Sequence, residues 1–141
     1  MEERLLQVTK KELFYTAFML QLRQLVNIVY DFPADENKFE QELGEARSSL
    51  RKKKLLTESA RQGISLDFGL CSCVAFCSEP ESCEVVDVNG YCATIYAISG
   101  IYMLLEPLSQ DKQDNFTVTW FINKNTLNEY INSKTQEEIN N

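Results

Sequence analysis

Val88-Asn89-Gly90-Tyr91 restricts this chain more than any other stretch. Asn and Gly both tolerate the positive φ that a type I′ turn demands at its two central positions, so the pair joins two antiparallel strands with almost no loop between them. The flanking residues agree. Residues 84–88 and 91–98 are β-rich and alternate with period two. Gly100 then separates them from residues 101–106, and a polar loop over 109–115 leads into 116–122. Four consecutive strands with short joints predict a four-stranded antiparallel meander. Ile101-Tyr102-Met103-Leu104-Leu105 is apolar on both faces, which predicts a central strand or one covered twice. Asn125 is placed to cap a last helix over 126–132, with Leu127, Tyr130 and Ile131 inward, and the polar residues 134–141 read as a flexible tail.

The N-terminal half carries helical spacing instead. Thr9 with Glu12 three residues later is a capping box, so a helix is expected from Lys10. Leu13, Phe14, Ala17, Phe18, Leu20 and Leu22 give it an apolar face wide enough for two neighbours. Residues 27–30 favour a short strand that Phe32-Pro33 closes, since the residue before proline leans away from helix. A second helix is expected from Asp35 or Glu36 to Lys54, with Phe39, Leu43, Ala46 and Leu50 as its stripe. Leu55-Leu56 and Ile64, Leu66, Phe68 flank a polar bridge containing Gly63, the pattern of a hairpin or wing. Leu66, Leu70, Cys73 and Cys77 also repeat at helical spacing. Residues 64–68 are therefore open to two readings, wing strand or helix start.

Taken together, the expectation is an α+β chain of one domain over 1–141. Residues 1–80 form a mainly helical, winged-helix-like half, and residues 81–133 form the sheet and its terminal helix. At 141 residues, 44% of them apolar, the chain is long enough for a sizeable core.

Charge and chemistry narrow the function. A net charge of -7 and an isoelectric point near 4.7 argue against a dedicated nucleic-acid binder, whose affinity is dominated by phosphate contacts. The only basic block is Arg51-Lys52-Lys53-Lys54. It reads as a helix end complementing the macrodipole, as a protein contact, or as the phosphate-binding end of a winged-helix regulator. Seven basic residues meet six acidic ones over 35–61, so that head is nearly neutral. No stretch approaches the roughly 20 apolar residues that span a bilayer, and MEERLLQVTKKE lacks the apolar centre of a signal peptide. Five cysteines without an export signal suit a reducing cytoplasm.

Those cysteines, Cys71, Cys73, Cys77, Cys83 and Cys92, lack histidine companions and a second close pair. They read as small apolar residues in a helix–sheet seam, not as metal ligands or nucleophiles. No cofactor and no enzymatic activity are expected. Tyr96, Tyr102, Phe116, Trp120 and Phe121 make the sheet aromatic, and alternation cannot bury all of them on one face. One face is covered by the chain's own helices, by a partner protein or by a second copy. Exposed aromatics are common anchors of protein interfaces. Tyr96, Tyr102, Leu104 and Trp120 are accordingly the expected partner-binding residues.

The segments TKKELFYTAF, FEQELGEARSSLRKKKLL and ISLDFGL, in that order ahead of the strands, resemble the type VII secretion substrate chaperones: the EspG group of actinobacteria and EsaE-like proteins of Firmicutes. The resemblance covers most of the chain and rests on apolar spacing. It implies a cytosolic adaptor that shields a secreted helical-hairpin protein or antibacterial toxin until hand-off to the export machine.

Overall fold

The computed structural model describes residues 6–31, 33–108 and 114–140. Phe32, residues 109–113 of the polar loop, Asn141 and the first five residues of the segment read for a signal peptide fall outside them. The chain is α+β and divides into two compact units, Val8–Ser78 and Glu79–Asn141, the latter together with Leu6 and Gln7.

In the helical unit, α1 (Lys10–Met19) begins with the expected capping box. The Glu12 amide donates to Thr9 Oγ1 at 3.1 Å, and the Thr9 amide donates to Glu12 Oε1 at 2.8 Å. The helix stops earlier than its apolar pattern. Gln21 takes a left-handed φ of 59°, and the amides of Gln21 and Leu22 turn back to Phe18 O and Ala17 O. That is a Schellman ending made without glycine, so nothing in the sequence marks it. Phe18 and Leu20 consequently stay exposed, and the width of the apolar face overstated its burial.

Residues 27–30 do not form the expected strand: Asn27 sits at a φ of 64°, while Leu25 and Ile28 anchor an irregular segment in the core. Asp35 caps α2 (Glu36–Lys52) by accepting from the Asn37 and Lys38 amides. This helix ends in the same way as α1, with Lys54 at φ 64° and the Leu55 amide donating to Leu50 O at 2.9 Å. Leu56–Ser59 (β2) and Gly63–Leu66 (β3) form the expected hairpin, in the register Leu56↔Leu66. The ambiguity over 64–68 resolves into separate elements. Asp67 Oδ2 accepts from the Leu70 amide at 3.1 Å and starts α3 (Phe68–Ser78), so α3 begins after Leu66. Helix α1 packs against both α2 and α3.

Among the described residues, the other unit holds one sheet and one helix. Its strands are β4 (Ser82–Val88), β5 (Tyr91–Ile98), β6 (Ile101–Pro107) and β7 (Asn115–Phe121), followed by α4 (Lys124–Asn140). The meander is present, but the sheet has five strands. A strand named β1 (Leu6–Thr9) lies beside β7, giving the order β1-β7-β6-β5-β4. Four residues running straight into a capping box carry too little alternation to announce a strand. Asn89 and Gly90 have φ of 53° and 85°, and Ser99 and Gly100 have 51° and 78°, so both β4–β5 and β5–β6 close through two-residue primed turns. Asn123, not Asn125, caps α4: its Oδ1 accepts from the Asn125 amide at 2.7 Å. The helix continues beyond Asn132 through the polar residues that were expected to fray.

Leu127 of α4 buries against Tyr91, Ala93, Ile95, Leu104 and Phe121, with Tyr102, Tyr130 and Ile131 packed around them. Each fully buried side chain of this size contributes about 1.5–3 kcal/mol, which is what fastens α4 to the sheet.

Candidate functional site

Register decides which side chains share a face of the sheet. Tyr96 pairs with Met103, and Met103 with Trp120, so these three lie in one row across β5, β6 and β7. Leu104 pairs with Ile95, and Tyr102 with Ala97 and Phe121, on the opposite face, the one that α4 covers. The four residues expected to bind a partner are therefore split between faces.

They also differ in exposure. Tyr96 and Leu104 are completely buried, and Tyr102 is half-buried against the Leu127 cluster. As the molecule stands, Tyr96 and Leu104 are core residues with no surface to offer. Trp120, at 36% exposure, is the one of the four that presents an open apolar surface. Alternation assigns a side chain to a face but says nothing about what lies over that face, which is why the four looked equivalent in the sequence.

Trp120 has neighbours that sequence reasoning missed. Ile101, 39% exposed, begins β6 on the same face, and Ile122, 87% exposed, lies just beyond Phe121, the partner of Tyr102. Ile101, Trp120 and Ile122 thus form an exposed apolar cluster at one end of the sheet. The available signal was an isoleucine set directly before the polar Asn123-Lys124 pair, where α4 begins.

At the opposite end of the α4 face, Glu106 accepts hydrogen bonds from the hydroxyls of Tyr91 and Tyr130, each at 2.8 Å. Tyr130 also packs on Phe121 with ring centroids 5.6 Å apart. Burial, followed by the hydrogen bond to Glu106, pushes the Tyr91 hydroxyl far above its usual pKa, so it stays protonated and serves as a donor. This triad is a clamp between the sheet and the second turn of α4.

A depression of about 350 Å³ opens at the N-terminal end of α4. Ile95, Ala97, Tyr102 and Leu127 make its apolar wall, and Glu81, Glu84 and Lys124 bring charge to it. Glu81 is held in place by accepting from the Ser99 amide at 2.9 Å.

The remaining candidates lie elsewhere. Cys73 and Cys77 are buried on α3 beside Leu70 and Val74. Burial and the nearby Asp67 carboxylate raise the Cys71 thiol above its usual pKa, disfavouring thiolate. Cys83 and Cys92 lie on the sheet. Among the described residues, no group of three or more Cys, Asp or Glu side chains stands close enough to hold a metal ion. In the basic block, Arg51 is 2.5 Å from Glu58 and Lys53 is 2.7 Å from Glu12. Two of its four cations are thus engaged internally. No helix of the described residues is long and apolar enough to cross a membrane.

No protein-family model matches the chain, and comparison with curated proteins found no match either.

Proposed function

We propose that this is a non-enzymatic cytosolic binding protein, a chaperone or adaptor that keeps a secreted effector or toxin of a type VII secretion system export-competent. The reading joins the resemblance of its segment order to an observation on the surface, the Ile101, Trp120 and Ile122 cluster. A tryptophan flanked by exposed isoleucines is the composition of an interface anchor, and an apolar helical substrate is the surface it suits. The net charge of -7 favours a partner with a basic rim.

The test is co-expression of the tagged protein with the products of its neighbouring genes, followed by affinity capture and mass spectrometry. A stoichiometric secreted partner, lost on Trp120→Ala without unfolding, supports the proposal. A chain that captures none of them overturns it. Light scattering on the same material separates a hetero-complex from a homodimer closing on the same cluster.

A winged-helix DNA-binding regulator is the second reading, favoured by the β2–β3 hairpin that follows α2. It ranks lower because Glu58 and Glu12 already engage two of the cations a phosphate would need. Titration of labelled duplex DNA at low salt tests it, and absence of binding there ends it.

A further inference from the structure

The sheet is closed unequally at its two edges. On one side the four-residue β1 covers β7, whereas β4 lies at the other edge with seven residues, Ser82–Val88, and no described strand beside it. The two-residue turn at Asn89-Gly90 makes Val88 and Tyr91 a hydrogen-bonded pair. Bonded and non-bonded pairs alternate from there, so the backbone groups of Val85 and Asp87 point away from β5. Val85 is 53% exposed and Asp87 is exposed as well. The edge is also acidic. Glu81, Glu84 and Asp87 all stand exposed along it, and the depression beside Glu81 and Glu84 has an apolar wall.

We infer that the β4 edge is a strand-addition site for an extended basic segment of a partner protein, with one lysine or arginine entering the depression beside Glu81 and Glu84. This names the chemistry of the partner in the protein-binding reading above and rests on that reading. Main-chain groups at Val85 and Asp87 supply the ladder bonds, and alternate side chains of the incoming strand supply selectivity. A lysine or arginine suits the depression because its methylene stem lies on Ile95, Ala97 and Leu127 while its head meets the Glu81 and Glu84 carboxylates, which outnumber Lys124 in the same lining. Charge decides between occupants. A second copy brings another acidic edge and another net charge of -7 against the first, the kind of repulsion by which edge strands avoid self-pairing. The same carboxylates attract a basic strand.

The full chain is titrated with three synthetic peptides: alternating lysine–valine, alternating glutamate–valine, and the lysine peptide N-methylated on alternate amides. Amide NMR shifts report the location. The expected result is binding of the lysine peptide alone, with the largest shifts at Val85 and Asp87. Glu84→Lys or Val85→Pro should weaken it about tenfold, and an outward-facing edge amide is where proline does least harm to the sheet.

Equal binding of the methylated peptide reduces the effect to charge and overturns the proposal, as does absence of binding. Concentration-dependent shifts of the same amides without peptide assign the edge to a second copy and also overturn it. Peptide binding should survive Trp120→Ala. Failure of the peptide beside Trp120-dependent capture removes the edge and leaves the adaptor. Peptide binding at β4 without any captured secreted protein keeps the edge and removes the adaptor.

Discussion

Lys53 Nζ lies 2.7 Å from Oε1 of Glu12, joining the C-terminal end of α2 to the first turn of α1. Glu12 is completely buried and also accepts from the Thr9 amide and the Ser49 hydroxyl. A single carboxylate therefore caps one helix and docks another. Breaking such a pair from the lysine side leaves a buried charge with fewer partners, whereas neutralising the carboxylate removes the charge itself. Lys53→Met is expected to cost about 2–3 kcal/mol, discounted because Lys53 is partly solvated, and Glu12→Gln about 1 kcal/mol. Urea midpoints of the two variants measure this. Equal losses would refute the asymmetry.

The Tyr91 hydroxyl gives a prediction in alkali. Its folded pKa is raised, by burial first and then by Glu106, above the ordinary value of 10.0. The unfolded chain therefore loses this proton before the folded one does. Stability from this group is complete below about pH 10 and declines as pH climbs beyond it. Denaturation of the parent and Tyr91→Phe between about pH 8 and 11 should show a steeper alkaline loss in the parent. Parallel profiles would refute it.

Gly90 at φ 85° sits in the left-handed region with Asn89 beside it. Gly90→Val places a β-branched residue there and should cost about 1–2 kcal/mol, visible as a lower thermal midpoint. An unchanged midpoint would mean that the turn is not held in its primed form.

Thiol labelling should follow burial. Cys73 and Cys77 are fully buried, and Cys71 is held as thiol. Peptide mapping after brief alkylation near neutral pH should find all three largely unmodified, with complete labelling in denaturant. Rapid native labelling of Cys71 would contradict its environment.

Ile122, at 87% exposure, contributes little to the fold, so Ile122→Ser should move stability by less than about 0.5 kcal/mol. On the proposed function, the same change should weaken partner capture. Loss of stability without loss of capture would reverse the assignment of that cluster.

Much of the architecture was legible because its signals are local. Thr9 and Glu12 mark a helix start through bonds three residues apart, and Asn89-Gly90 marks a hairpin through two dihedrals. The helix ends at Gln21 and Lys54 were not legible: ordinary residues occupy a conformation usually left to glycine, and the backbone hydrogen bonds that hold those ends leave no mark in residue type. Strand β1 was missed because its four residues gain their pairing from β7, more than a hundred positions away.

The candidate site divides along the same line. Sequence by itself determined an antiparallel aromatic sheet, the alternation of its side chains, its acidity, and a buried place for Cys73 and Cys77. Tertiary structure alone decided that Tyr96 and Leu104 are core, that Trp120 joins Ile101 and Ile122 at the surface, and that β4 lies at a sheet edge with no described strand beside it. The reason is physical. Periodicity is a property of neighbours along the chain, whereas exposure depends on which distant segment lies over a face or against an edge.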